Sequence, residues 1–169
     1  MRFKFRVTKY DPSLRNHLGH FMHDDWTSIS QIGKNIQGKT LKKSEYERVE
    51  DAYLNAIDAF LSESKVDTMI IDKIEMHREK FAYRVGQKLQ AFEIRQISQL
   101  ALREKLWCQL RSPRKAYLHF GWDYYMYLGV SRSCPSAITL AHSTGLFVEP
   151  FLSPYLQRSR THVSPKERG

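Results

Sequence analysis

The stretch Lys115 to Val130, KAYLHFGWDYYMYLGV, constrains the fold more than any other part of the chain. Six aromatic residues flank a glycine at the bend, and large apolar side chains at this density build a packed hairpin. A two-residue turn at Gly121-Trp122 would set Leu118 opposite Tyr125. A three-residue loop, Gly121-Trp122-Asp123, instead pairs Phe120 with Tyr124, Leu118 with Met126 and Ala116 with Leu128. The second register gathers the aliphatic residues on one face and is the one expected. Tyr117, His119, Tyr125 and Tyr127 then share the opposite face. The segment carries no glycine-rich phosphate loop and no metal-ligand spacing, so it describes a surface and not a reaction.

Elsewhere the pattern alternates between strand and helix signals. Arg2 to Tyr10 puts Phe3, Phe5 and Val7 on one face and Arg2, Lys4, Arg6 and Thr8 on the other, a half-buried strand closed by Asp11-Pro12. Residues 13–43 read as a long ordered connection anchored by Phe21, Trp26, Ile29, Ile32 and Ile36, with Asp25 or Thr27 capping a short turn over 28–34. Ser44-Glu45-Tyr46-Glu47 has the form of a capping box. The helix it opens carries Tyr46, Val49, Tyr53, Ala56, Ile57 and Phe60 on one stripe and ends near Ser64. Residues 66–74 suit a central strand, and 75–88 a polar linker with a helical turn. Residues 91–110 are expected to form a second helix with Ile94, Ile97, Leu100, Ala101, Trp107 and Cys108 inward, stopped at Ser112-Pro113. A short helix over 135–143 and a strand over 146–149 follow. The order predicts an α+β fold: a single domain over 1–155 with a mixed or antiparallel sheet of about five strands packed against two long helices and one short helix. Residues 156–169 lack apolar periodicity and are expected to form a disordered basic tail.

A chain of 169 residues, 41% hydrophobic, can bury a sizeable core without staples. Its formal charge is +9, which attracts nucleic acid, anionic lipid or an acidic protein surface. After Tyr155, Arg158, Arg160, Lys166 and Arg168 stand against Glu167, so part of that excess is peripheral. Cys108 and Cys134 show no framework spacing and are expected to be reduced thiols of a cytoplasmic protein. The first residues alternate charge with apolar groups and lack the apolar run of a signal peptide. No segment approaches a membrane span.

Three constellations are candidates for chemistry. His17, His20 and His23 recur every three residues before Asp24-Asp25. That step fans them apart on a helix and alternates them on a strand, so no metal site is expected. His119 near Asp123, Tyr124 and Tyr125 has the residue types of an acid–base group, although a histidine packed on a tyrosine face satisfies the same pattern. Tyr117, Tyr125 and Tyr127 with Lys115 have the composition of a stacking platform for single-stranded nucleic acid, or of a core face under a covering element. Two further clusters, Asp24-Asp25-Trp26 and Trp122-Asp123, set acidic groups beside a tryptophan in predicted loops, a composition suited to interface anchors.

The blocks TKYDP with DDWTSISQIGK, YERVEDAYLNAI, and LREKLWCQL with HFGWDYYMYLG and GLFVEPFLSPY resemble a family of small standalone bacterial proteins without assigned enzymatic activity. The resemblance extends over most of 5–155. It is associated with immunity proteins of contact-dependent growth-inhibition and other polymorphic toxin systems. It implies a protein that binds one cognate toxin domain, often a nuclease, and occludes its active site.

The expectation is therefore a non-catalytic protein-binding module without cofactor, whose partner is a cognate toxin domain. Asp24, Asp25, Trp26, Trp122, Asp123 and Tyr125 are the partner-binding candidates, with no catalytic and no metal-binding residue. Two alternatives stand beside it. One is an RNA-binding protein using the basic first strand and the aromatic sheet face. The other is a small metal-free ribonuclease using His119. A +9 chain is an unusual inhibitor of a basic nuclease, because complementary potentials speed association.

Overall fold

A computed structural model describes residues 1–156. The chain is α+β, with a wholly antiparallel seven-stranded sheet, three helices and a separate two-stranded hairpin. In chain order the elements are β1 (Phe3–Thr8), the hairpin β2 (Asn35–Ile36) and β3 (Lys39–Thr40), and α1 (Lys43–Glu63). Then come β4 (Thr68–Met76), β5 (Lys88–Gln90), α2 (Ala91–Leu102) and β6 (Leu106–Ser112). β7 (Ala116–Phe120), β8 (Met126–Val130), α3 (Pro135–Ser143) and β9 (Phe147–Pro150) complete the chain. The sheet order is β5-β4-β6-β7-β8-β1-β9, so β1 enters beside the β7–β8 hairpin and β9 closes the edge.

The alternation of β1 is realised. Phe5 and Val7 face the core, and Phe5 lies against Phe60 of α1 with ring centroids 5.5 Å apart. Register carries this face across the sheet: Phe5 pairs with Leu128, Leu128 with Leu118, Leu118 with Leu110 and Leu110 with Ile71. α1 buries the predicted stripe of Tyr46, Val49, Tyr53, Ala56, Ile57 and Phe60 in this core. It also buries Glu50, whose carboxylate accepts from both Arg103 nitrogens at 2.7 Å, from Gln99 at 2.8 Å and from the Tyr46 hydroxyl. Burial pushes the Glu50 carboxyl up, yet these four donors hold it below the ordinary carboxylate range.

Several boundaries differ from expectation. α1 starts at Lys43, so Ser44 lies inside its first turn and no side chain caps the helix. The short turn after Trp26 is a 3-10 turn over Ile29–Gln31, capped by Ser28 and not by Asp25 or Thr27. The second helix ends at Leu102 and not at residue 110. Glu104 takes a left-handed backbone (φ 56), and the chain leaves in β6 with Leu106, Cys108 and Leu110 inward. Trp107 consequently points to the opposite sheet face, away from α2. Lys88–Gln90 pairs with β4 as an edge strand where a linker was expected, which brings the sheet to seven strands.

The hairpin keeps its faces but shifts its register by two. Phe120 pairs with Met126, Leu118 with Leu128 and Ala116 with Val130, leaving a five-residue loop over 121–125. A shift of two preserves which side chains point inward. The shift also sets Gly129 opposite Tyr117, whose ring occupies the space a side chain would need. A Cβ on Gly129 would lie 2.0 Å from Tyr117 Cε1.

Candidate docking surface at the hairpin tip

The loop over 121–125 is built around one inward and one outward aromatic ring. Asp123 and Tyr124 both adopt left-handed backbone conformations (φ 54 and 61), uncommon for residues with side chains. The turn drives Tyr124 into the core, where it meets Trp26, Tyr46 and Tyr53 edge to face. Its hydroxyl donates to the Leu102 carbonyl at 3.2 Å. Its own carbonyl accepts from Tyr53 Oη at 2.6 Å. The Gly121 amide donates to the Tyr125 carbonyl at 2.7 Å, and the Tyr125 amide to the Trp122 carbonyl at 3.1 Å. With Tyr124 drawn in, Trp122 is forced out and is 74% exposed. The indole expected at the tip is there, on a loop whose backbone is hydrogen-bonded on both sides.

The tip overhangs a cleft of about 410 Å³ that includes Arg6, Tyr10, His20, His23, Asp25, Asp123, Tyr125 and Tyr127 among its lining residues. Asp25, Asp123 and Tyr125, three of the six candidates, thus line one cleft. Asp24 and Asp25 border a second depression with Lys39 and Glu45. Trp26 behaves otherwise. It is buried, packed on Tyr46 and Tyr124, with the Lys9 ammonium 4.0 Å from its ring centre. Its ring therefore serves the core and is not presented to a partner.

Lys9 explains why this loop is ordered. Its ammonium lies between the Tyr10 and Trp26 rings and donates to Asp25 Oδ2 at 2.5 Å, while Asp25 Oδ1 accepts from the Trp26 amide at 2.7 Å. Burial lowers the Lys9 ammonium to about 8, against the pull of Asp25. Across the cleft, Glu149 accepts two bonds from Arg6 at 3.0 Å and two from Arg15 Nη1 at 2.8 and 2.9 Å. Burial raises Glu149, and the two guanidiniums hold it below the usual carboxylate range. Two of the cleft's charged residues, Arg6 and Asp25, are thus each held by an ion pair, to Glu149 and to Lys9. Both Asp25 oxygens are already engaged in holding the loop.

The polar face of the sheet is covered, and by a segment to which the sequence reading gave no covering role. Residues 151–156 cross it after β9. Phe151 packs near Tyr127, Tyr155 meets Trp107, His119 and Tyr127, and Ser153 Oγ lies 2.8 Å from His119 Nδ1. His119 stacks on Tyr117 with ring centroids 4.6 Å apart, and both are buried. Burial lowers the His119 imidazole to about 4. Its Nδ1 is bonded to Ser153, and among the described residues it makes no hydrogen bond to Asp123. The proposed tyrosine platform is likewise altered: Tyr117 is buried, and Tyr125 has left the strand for the loop.

His20 and His23 line the cleft, without His17. Among the described residues, no group of three or more His, Cys, Asp or Glu is placed to hold a metal ion. Cys108 and Cys134 are buried and free. Among the described residues, no helix is long and apolar enough to cross a membrane. The expected tail lies outside the described residues, apart from Leu156. Sequence reasoning missed Tyr10 as a cleft-lining residue and Trp107 and Gln109 as neighbours on one strand face. Strict alternation in LWCQLRS was the signal that would have placed Trp107 and Gln109 together on the face away from the core helices.

Compared with family models, curated proteins and solved structures, the chain matches none at a significant level.

Proposed function

We propose that the protein is a non-catalytic binding module that docks a protein partner through the β7–β8 hairpin tip. The observation that carries this reading is Trp122, 74% exposed on a loop whose neighbours are pinned into the core. An exposed indole on a pinned backbone costs little loop ordering on binding, and buried aromatic anchors dominate interface energies. Asp123, Tyr125 and Asp25 line the adjoining cleft and supply a polar rim.

Local charge supports a basic partner despite the overall +9. Lys39, Lys43, Arg103 and Arg95 neutralise Glu45, Glu47, Glu50 and Asp51 on α1. Lys9 neutralises Asp25. Among the described residues, Asp24 and Asp123 enter no ion pair, and they flank the tip region as unneutralised acids. The finer reading rests on the sequence resemblance: a cytoplasmic immunity protein whose tip enters the active-site cleft of a cognate toxin domain, a nuclease being the commonest kind. The test is growth rescue by co-expression with the toxin encoded beside it. Rescue by the native chain and its loss in Trp122→Ala support the reading. Absence of both rescue and complex formation removes it.

A further inference from the structure

On the flank of the tip away from the cleft lies a groove of about 290 Å³, lined by Lys73, Glu75, Trp107, Gln109, Trp122 and Tyr155. Three aromatic rings and one carboxamide in a space of this size are more than a packing defect. Gln109 is the unusual member. It sits in the middle of β6, between Lys73 of β4 and His119 of β7, and is 4% exposed. Among the described residues its carboxamide has no hydrogen-bond partner. The carboxamide atoms are not sealed off but open on the groove, so the donor and acceptor are free for a ligand or for water. Trp107 is fixed by donation from its indole nitrogen to the Phe120 carbonyl at 2.7 Å, so its ring is a rigid wall.

We propose that this groove receives one unpaired base of a single-stranded nucleic acid. A carboxamide offers an adjacent donor and acceptor, which match the paired donor and acceptor on a base edge. Indole and phenol rings stack on bases, each of which has a π face. Lys73 stands at the rim to meet a phosphate, and the +9 charge draws a polyanion to the surface. This site is distinct from the tyrosine platform, which residues 151–156 cover. It shares Trp122 with the protein-docking surface. Gln109 belongs to the groove alone, and its substitution separates the two readings.

The experiment is fluorescence anisotropy with labelled twelve-residue oligo(A), oligo(C) and oligo(U) and the full chain, at low and moderate salt. The expected result is saturable binding that weakens with salt and ranks the three bases unequally. Trp122→Ala should weaken the best oligonucleotide by ~10-fold, a typical loss for one stacked base. Gln109→Leu, close to Gln in volume, should erase the ranking while leaving the melting temperature and growth rescue intact. Equal affinity for all three oligonucleotides in the native chain, no binding at low salt, or a ranking unchanged in Gln109→Leu overturns the assignment. Any of those results leaves Trp122 to the protein surface and Gln109 to water.

Discussion

Tyr53 Oη donates to the Tyr124 carbonyl at 2.6 Å and accepts from the Lys9 amide at 2.8 Å. One phenol from the middle of α1 thereby ties the end of β1 to the hairpin loop. The bond to Tyr124 is buried and the one from Lys9 partly so, with Tyr53 itself fully buried. Tyr53→Phe removes the hydroxyl, keeps the ring and strands a donor and an acceptor. The expected loss is about 1–3 kcal/mol of stability, read by urea denaturation. Hydrogen exchange at the Tyr125 amide should accelerate as the loop loosens. An unchanged midpoint would show that water replaces the hydroxyl at no cost.

Gly129 and Tyr117 form a second dependent pair, across β8 and β7. Gly129→Ala forces a methyl into the Tyr117 ring, and overpacking of this kind costs about 1–3 kcal/mol. The diagnostic is coupling. In a Tyr117→Leu background the same change should cost clearly less, because the obstructing ring is gone. Simple additivity in the double mutant would mean that the strand shifts and the ring does not matter.

The pH dependence of stability should carry the mark of His119. Its imidazole titrates near 4 in the folded chain, against an ordinary value of 6.5. Between these two values the unfolded chain binds the proton and the folded chain does not, so stability falls as pH falls from about 6.5 to about 4. The full contribution is on the order of 3 kcal/mol. Glu50 and Glu149 have lowered values, so their stabilisation is lost only as pH drops through the acid range below the ordinary carboxylate value. Thermal melts of the native chain and His119→Phe across this window should diverge in slope. Parallel curves would show that the imidazole takes up its proton alike in the folded and unfolded chain, so that burial does not lower it.

Periodicity made some of these features legible in advance. The α1 stripe and the β1 alternation were readable because one face of each is buried and the other wet. The α2–β6 boundary was not, because the break is made by Glu104 in a left-handed conformation with no glycine or proline to announce it. Hairpin faces were readable and the register was not, since a shift of two leaves every side chain on its own face. At the candidate site, Trp122 and Asp123 followed from their place at a turn. Trp26 was legible as an anchor of its connection, but the partners that bury it, Lys9, Tyr46 and Tyr124, were not, because they come from three separate parts of the chain. The cover over His119 was hidden for the same reason: Phe151 and Tyr155 find their partners only after the sheet has formed.

Trp122 separates binding from stability more cleanly than any other position. Its side chain is exposed and its loop is held by Tyr124, Gly121 and Tyr125, so Trp122→Ala should change stability by no more than about 0.5 kcal/mol. Affinity for a protein partner should nevertheless drop by about 2 kcal/mol or more, roughly 30-fold, as for a central aromatic anchor. Calorimetric titration beside a thermal melt reads both quantities on one preparation. Tyr53→Phe gives the opposite ratio: a large stability loss, with affinity reduced only as far as the loop disorders. If Trp122→Ala instead melts like a core mutant, the indole is packing the molecule against itself, and the docking surface must be sought around Asp24 or elsewhere.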